Sequence, residues 1–197
     1  MDKNMGRRYD YIYLIGFPKC GSTSMRGYLR KRFHPNELFS FNSFSLYNPS
    51  FNKNFQGAHV NRPKTLYIAI IRDPYQRTWS AYWWGMHRWR TESDPPIPTF
   101  KEFLRQRSDE WRYQTSGLDD PILACDYNRY LGKARDLGID VMVVRFEDMI
   151  KNPNFPHEAE TKDVILKETK RYLDVPPLDD ENRALIKAEL EKEGIEY

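Results

Sequence analysis

Lys19, Gly21 and the hydroxyls of Ser22, Thr23 and Ser24 stand together after a short apolar run, and that set of groups suits an anion. The segment reads Gly16-Phe17-Pro18-Lys19-Cys20-Gly21-Ser22-Thr23-Ser24. Before it lies Tyr9–Ile15, a β-rich run that Gly16 ends. After it, Met25, Tyr28, Leu29 and Phe33 fall at the spacing of one helix face. A strand, a loop and a helix in that order point unpaired backbone N–H groups outward together, and the helix dipole adds partial positive charge. Gly21 lets the chain come close to a ligand, the three hydroxyls can donate to phosphate oxygens, and Lys19 adds a full charge. Cys20, at a helix start beside Lys19, is placed for a lowered thiol pKa, but it reads first as a spacer whose backbone N–H does the work. Ser22 as a plain helix cap with Lys19 in solvent is the competing reading.

The spacing of Gly16 and Gly21 matches the nucleotide-triphosphate loop G-x-x-x-x-G-K-[ST], but Ser22 stands where that pattern has its lysine. The lysine comes earlier, at Lys19. A second group of residues follows another apolar run, Leu66–Ile71: Arg72-Asp73-Pro74-Tyr75-Gln76-Arg77-Thr78-Trp79-Ser80-Ala81-Tyr82. Arg72 leaves a strand end with a guanidinium fork suited to phosphate oxygens. Ser80 lies a little over two helical turns further on and can turn a hydroxyl to the same place. Asp73 and Arg77 read as structural, Asp73 because an acid in a first helical turn favours the dipole. Tyr82, Trp83 and Trp84 read as core.

The loop Pro-Lys-x-Gly-[Ser/Thr]-Thr and the segment Arg-Asp-Pro-x-x-Arg-x-x-Ser-x-Tyr resemble the two donor-binding signatures of sulfotransferases, which use 3′-phosphoadenosine-5′-phosphosulfate (PAPS). The resemblance runs over roughly residues 10 to 175 and is nearer to carbohydrate-type and bacterial members than to cytosolic small-molecule ones. It implies that Pro18, Lys19, Cys20, Gly21, Ser22, Thr23 and Ser24 hold the 5′-phosphosulfate, and that Arg72 and Ser80 bind the 3′-phosphate. Val143–Pro153 is similar to a later strand and turn of the family, in which Phe146 takes the place of a Tyr that touches adenine. Glu147 and Asp148 read as framework. The implied reaction transfers a sulfo group to a hydroxyl or amine by in-line displacement, with Lys19 stabilising the leaving phosphate, 3′-phosphoadenosine-5′-phosphate (PAP) as product, and no metal required. Ser24 stands where cytosolic members stack a Trp on adenine, and the C-terminal segment that completes their 3′-phosphate site has no counterpart. Arg62, Lys64 and Arg183 are candidates to replace it.

A proton acceptor is also needed. His59, in Gly57-Ala58-His59-Val60-Asn61-Arg62-Pro63, is the favoured base, by partial likeness to a Lys-[Thr/Ser]-His-x-Pro segment of the cytosolic enzymes and because its ordinary pKa is near neutrality. Glu37 is the alternative carboxylate. His34 reads as a helix-end residue, and His87 and His157 sit in no supporting pattern. A P-loop nucleotide kinase or phosphotransferase, and a non-catalytic binding module that keeps the fold, remain the alternative functions.

To position these groups the chain needs an α/β domain whose parallel strands end at the loops. The spacing predicts strands at Tyr9–Ile15, Leu66–Ile71 and Val141–Val144, each buried, with one more short strand allowed within 34–63. Helices are expected at about 22–33, 75–89, 100–107, 122–137, 158–173 and 180–193, the third opened by a capping box of Thr99 and Glu102. Strands alternating with helices imply a single domain over 1–197 with a P-loop-like parallel sheet, as in the family. The chain has 197 residues, 40% hydrophobic and 30% charged, the balance of a globular protein. A net charge of +3 argues against a nucleic-acid coat. Two cysteines give neither a disulfide framework nor a metal knuckle, and no apolar run approaches a membrane span. A cytoplasmic protein with PAPS and an acceptor of carbohydrate or phenolic type as partners is the resulting expectation.

Overall fold

The structure is a computed structural model and describes residues 9–30, 33–42, 64–87, 96–105, 120–151 and 175–197. Four strands form one all-parallel sheet: β1 (Tyr11–Gly16), β2 (Leu38–Asn42), β3 (Thr65–Ile71) and β4 (Val141–Arg145), in the order β2-β1-β3-β4. The helices are α1 (Ser22–Arg30), α2 (Pro74–His87), α3 (Phe100–Leu104), α4 (Tyr127–Asp136), α5 (Phe146–Lys151) and α6 (Asp180–Lys192). Short 3₁₀ turns occupy Pro35–Glu37 and Leu123–Cys125. Among the described residues, no helix is long and apolar enough to cross a membrane.

The apolar runs of β1 and β3 take the two central places, where both faces are covered. Tyr13 stands in register with Phe39 on one side and Tyr67 on the other, and its ring stacks on both, at 4.8 and 5.2 Å between centroids. β2 is the short strand allowed within 34–63. It is half-buried because it lies outermost of the described strands on its side.

β4 departs from expectation. Its run Val-Met-Val-Val looks as apolar as that of β3, but it lies at the other outer position, and Met142 and Val143 are 48% and 43% exposed. An apolar run tells a strand from a loop, not a central strand from an outer one. The helix expected over 122–137 is also divided. Asp126 leaves helical geometry (φ −75°, ψ 69°) and its carboxylate accepts from Arg129 N at 3.0 Å, so the 3₁₀ turn ends and α4 begins there. The Thr99–Glu102 capping box forms in both directions. The helix expected at 158–173 lies outside the described residues.

Two clusters of apolar side chains carry the fold. The first lies on the sheet with α1 and α4 and includes Ile12, Leu14, Ile15, Phe17, Met25, Ile68, Ile70 and Tyr130. The second joins α2, α3 and α6 through Trp79, Tyr82, Phe100, Phe103, Ile186 and Leu190.

Candidate functional site

In a parallel sheet ordered β2-β1-β3-β4, the chain leaves β1 toward one side and returns on the other. The crevice beyond the carboxyl ends of β1 and β3 is therefore the point where the strand order reverses, the usual ligand position in open α/β sheets. The loops after these two strands are 17–21 and 72–73, the segments that hold Lys19 and Arg72.

The loop after β1 is fixed from behind. Phe17 is buried, with its ring edge-on to Tyr127 and Tyr130 at 5.1 and 5.6 Å. Cys20 N donates to Phe17 O, and Lys19 and Gly21 both take positive φ, 65° and 84°. Two arginines from the second segment then hold two consecutive carbonyls of the loop. Arg77 Nε donates to Pro18 O at 3.2 Å, and Arg72 Nη1 to Lys19 O at 3.1 Å. With these carbonyls turned toward β3 and α2, the loop is locked in a shape that leads straight into the first turn of α1, where Met25 N bonds Gly21 O.

Gly21 has a second role. A Cβ built on it would lie 2.5 Å from Phe146 Cδ2 and 2.6 Å from Cε2. The glycine thus lets the loop come close to Phe146, a packing need within the protein as well as the expected approach to a ligand.

Arg72 is half-buried over Phe146, with its guanidinium 4.8 Å from the ring centroid. Burial lowers its pKa, opposed by the neighbouring Cys20, Glu147, Tyr127 and Asp73. Its Nε is buried and has no hydrogen-bond acceptor within the protein. Its carbonyl accepts from Tyr127 OH at 2.9 Å. Glu147 accepts from Asp73 N at 2.9 Å, and Asp73 caps α2 by accepting from Gln76 N at 2.8 Å. Arg77 is wholly buried and also donates to Pro121 O. Asp73, Arg77 and Glu147 are thus the framework that their sequence positions suggest.

Ser22 is half-buried, Thr23 exposed and Ser24 buried, so the three hydroxyls face different surroundings. Ser80 is half-buried on α2. Cys20 is fully buried, with Sγ 3.4 Å from Tyr127 OH, and burial pushes its thiol up to about 11. The lowering expected at a helix start is outweighed by desolvation, so the thiol stays protonated, which suits a spacer better than a nucleophile.

The candidates for the base and for extra phosphate contacts fall elsewhere. His59 and Arg62 lie outside the described residues. Glu37 precedes β2, which puts it at the amino edge of the sheet, a strand length of roughly 15 Å from the loops. There its carboxylate accepts from His34 N at 2.8 Å, closing a capping box in which His34 caps the 3₁₀ turn. Lys64 precedes β3 at the same amino edge, with its ammonium 3.9 Å from the Asp10 carboxylate. Arg183 reaches α2, its guanidinium 5.0 Å from the Tyr75 ring.

One residue near the loop carries no motif signal. Trp84, read as core, lies under Lys19, with the ammonium 4.7 Å from its ring centroid. Its place four residues after Ser80, on one face of α2, is the signal that could have found it. Among the described residues, no three His, Cys, Asp or Glu side chains gather where they could hold a metal ion. No protein-family model, characterised protein or solved structure shows significant similarity to this chain.

Proposed function

We propose that this protein is a PAPS-dependent sulfotransferase, transferring a sulfo group to a hydroxyl or amine of an acceptor. The observation that carries the reading is the meeting of two cationic loops at the strand-order reversal. The Lys19 loop and Arg72 come from adjacent strands and touch, and Arg72 Nε is buried without an acceptor. A donor with phosphate at both its 5′ and 3′ positions needs two such anion sites side by side. PAPS would supply the activated sulfo group and a good leaving phosphate.

In this reading Lys19 and the N–H groups of 20–24 stabilise charge on the leaving phosphate. Arg72 and Ser80 take the 3′-phosphate, and Phe146 borders the base. His59 accepts the acceptor's proton, and Glu37 is set aside by its place at the far edge of the sheet.

Calorimetry with PAP, AMP and ATP tests the reading. PAP is expected to bind at least about tenfold more tightly than AMP, because only PAP offers a 3′-phosphate to a charge-assisted contact. Absence of PAP binding would sink the proposal, and magnesium-dependent ATP binding in its place would point to a phosphotransferase. Lys19→Ala is expected to lower turnover more than affinity, and Arg72→Ala to lower PAP affinity first. The opposite pattern would reverse the two roles.

A further inference from the structure

We infer that Trp84 is the positioning residue for Lys19, holding its ammonium at the mouth of the crevice; this rests on the reading of that loop as an anion site. The Lys19 backbone is already fixed, by its positive φ and by the bond from Arg72 to its carbonyl. The backbone does not set the flexible four-carbon stem, whose rotamers would spread the charge over a wide arc. Trp84 narrows that arc. Its ring lies 4.7 Å from Nζ, and indole is the best of the aromatic faces for a cation.

The placement also bridges the two motifs. Lys19 comes from the loop after β1 and Trp84 from the helix after β3, so their contact spans the place where the strand order reverses. Ser80 and Trp84 lie one helical turn apart on the same face of α2. That face therefore offers a hydroxyl at one level and a seated ammonium at the next. Trp84 acts through Lys19 and needs no contact with the ligand.

The test is a double-mutant cycle read by PAP calorimetry on the full chain, with melting curves to confirm folding. Trp84→Leu is expected to weaken PAP binding by about tenfold, and Trp84→Phe to restore most of it. The double variant Lys19→Met/Trp84→Leu should bind no more weakly than Lys19→Met alone, because the tryptophan then has no ammonium to hold. Losses that multiply independently, or a Trp84→Leu protein that binds like the unaltered one, would overturn the inference.

A second measurement does not depend on the nucleotide. The lysine ε-methylene signals in proton–carbon NMR spectra should include one shifted upfield by a ring current. Lys19→Met should remove it, and Trp84→Phe should change its position. No shifted signal would overturn the inference whatever nucleotide binds. A shifted signal in a protein that does not bind PAP would support the seat and overturn the donor reading alone.

Discussion

Cys20 reads as a spacer in the sequence, but the titration of its thiol is set by packing that the sequence does not state. Helix start and neighbouring lysine are visible in the chain, but the burial that dominates, opposed by the hydrogen bond with Tyr127, depends on tertiary packing. Its thiol rises from an ordinary 9.0 to about 11, so the folded state keeps a proton that the unfolded state gives up first. The stabilisation is therefore complete below pH 9 and is lost as pH rises from about 9 to about 11. A rise of that size corresponds to about 3 kcal/mol. In urea titrations over this range, the stability difference between the unaltered protein and Cys20→Ala should fall by an amount of that order. A difference that stays constant with pH would mean the thiol is not held protonated. The places of Lys19, Arg72 and Phe146 after strand ends were legible because an apolar run and the residues that follow it are local properties. Trp84 was not, because Trp83 and Trp84 are adjacent and only the tertiary position of the loop decides which ring meets the ammonium.

Elements are most legible where burial and sequence agree. β1 and β3 are continuous apolar runs in central places, and their carboxyl ends carry the loops. β2 and β4 show the limit: Leu38–Asn42 mixes Phe with Ser and Asn, and Val141–Val144 reads as core although its middle residues face outward. The order of strands, which creates the crevice, is a long-range property that no local pattern states. The link between elements also escapes the sequence. Arg77 reads as structural, but nothing in the chain shows that it fastens the loop after β1 to α2 and to Pro121. Arg77→Met should leave the carbonyls of Pro18 and Pro121 without this donor in a buried place and cost about 2–5 kcal/mol. Val143→Thr, on the exposed side of β4, should stay within about 0.5 kcal/mol. Urea unfolding of the two variants checks the contrast. Amide exchange should also quicken at Cys20 and Gly21 in Arg77→Met if the bond holds the loop as described. Equal stabilities would show that Arg77 does not fasten these elements.

At the scale of the molecule, α2 connects the two apolar clusters. Its residues Tyr75, Trp79 and Tyr82 belong to the cluster shared with α3 and α6, and Trp79 Nε1 donates to Pro176 O at 2.8 Å just before α6. From the same helix, Arg77 reaches the loop that rests on the sheet cluster. The alternation of strands and helices made an α/β sheet legible, but not the second cluster, whose partners are separated by most of the chain. The crevice thus lies between a loop whose Phe17 and Cys20 pack in the sheet cluster and a helix that belongs to the other cluster. Occupancy there should act as a clasp: a ligand that bridges the Lys19 loop and α2 must leave before either cluster opens. At a free concentration of about one hundred times its dissociation constant, such a ligand adds about 2.7 kcal/mol to unfolding. Melting followed separately by tryptophan fluorescence and by far-ultraviolet dichroism should shift by the same amount with PAP. A shift in one signal alone would mean that the clusters come apart independently. The buried arginine of α2 would then be a local brace, and its clasp would not extend to the whole fold.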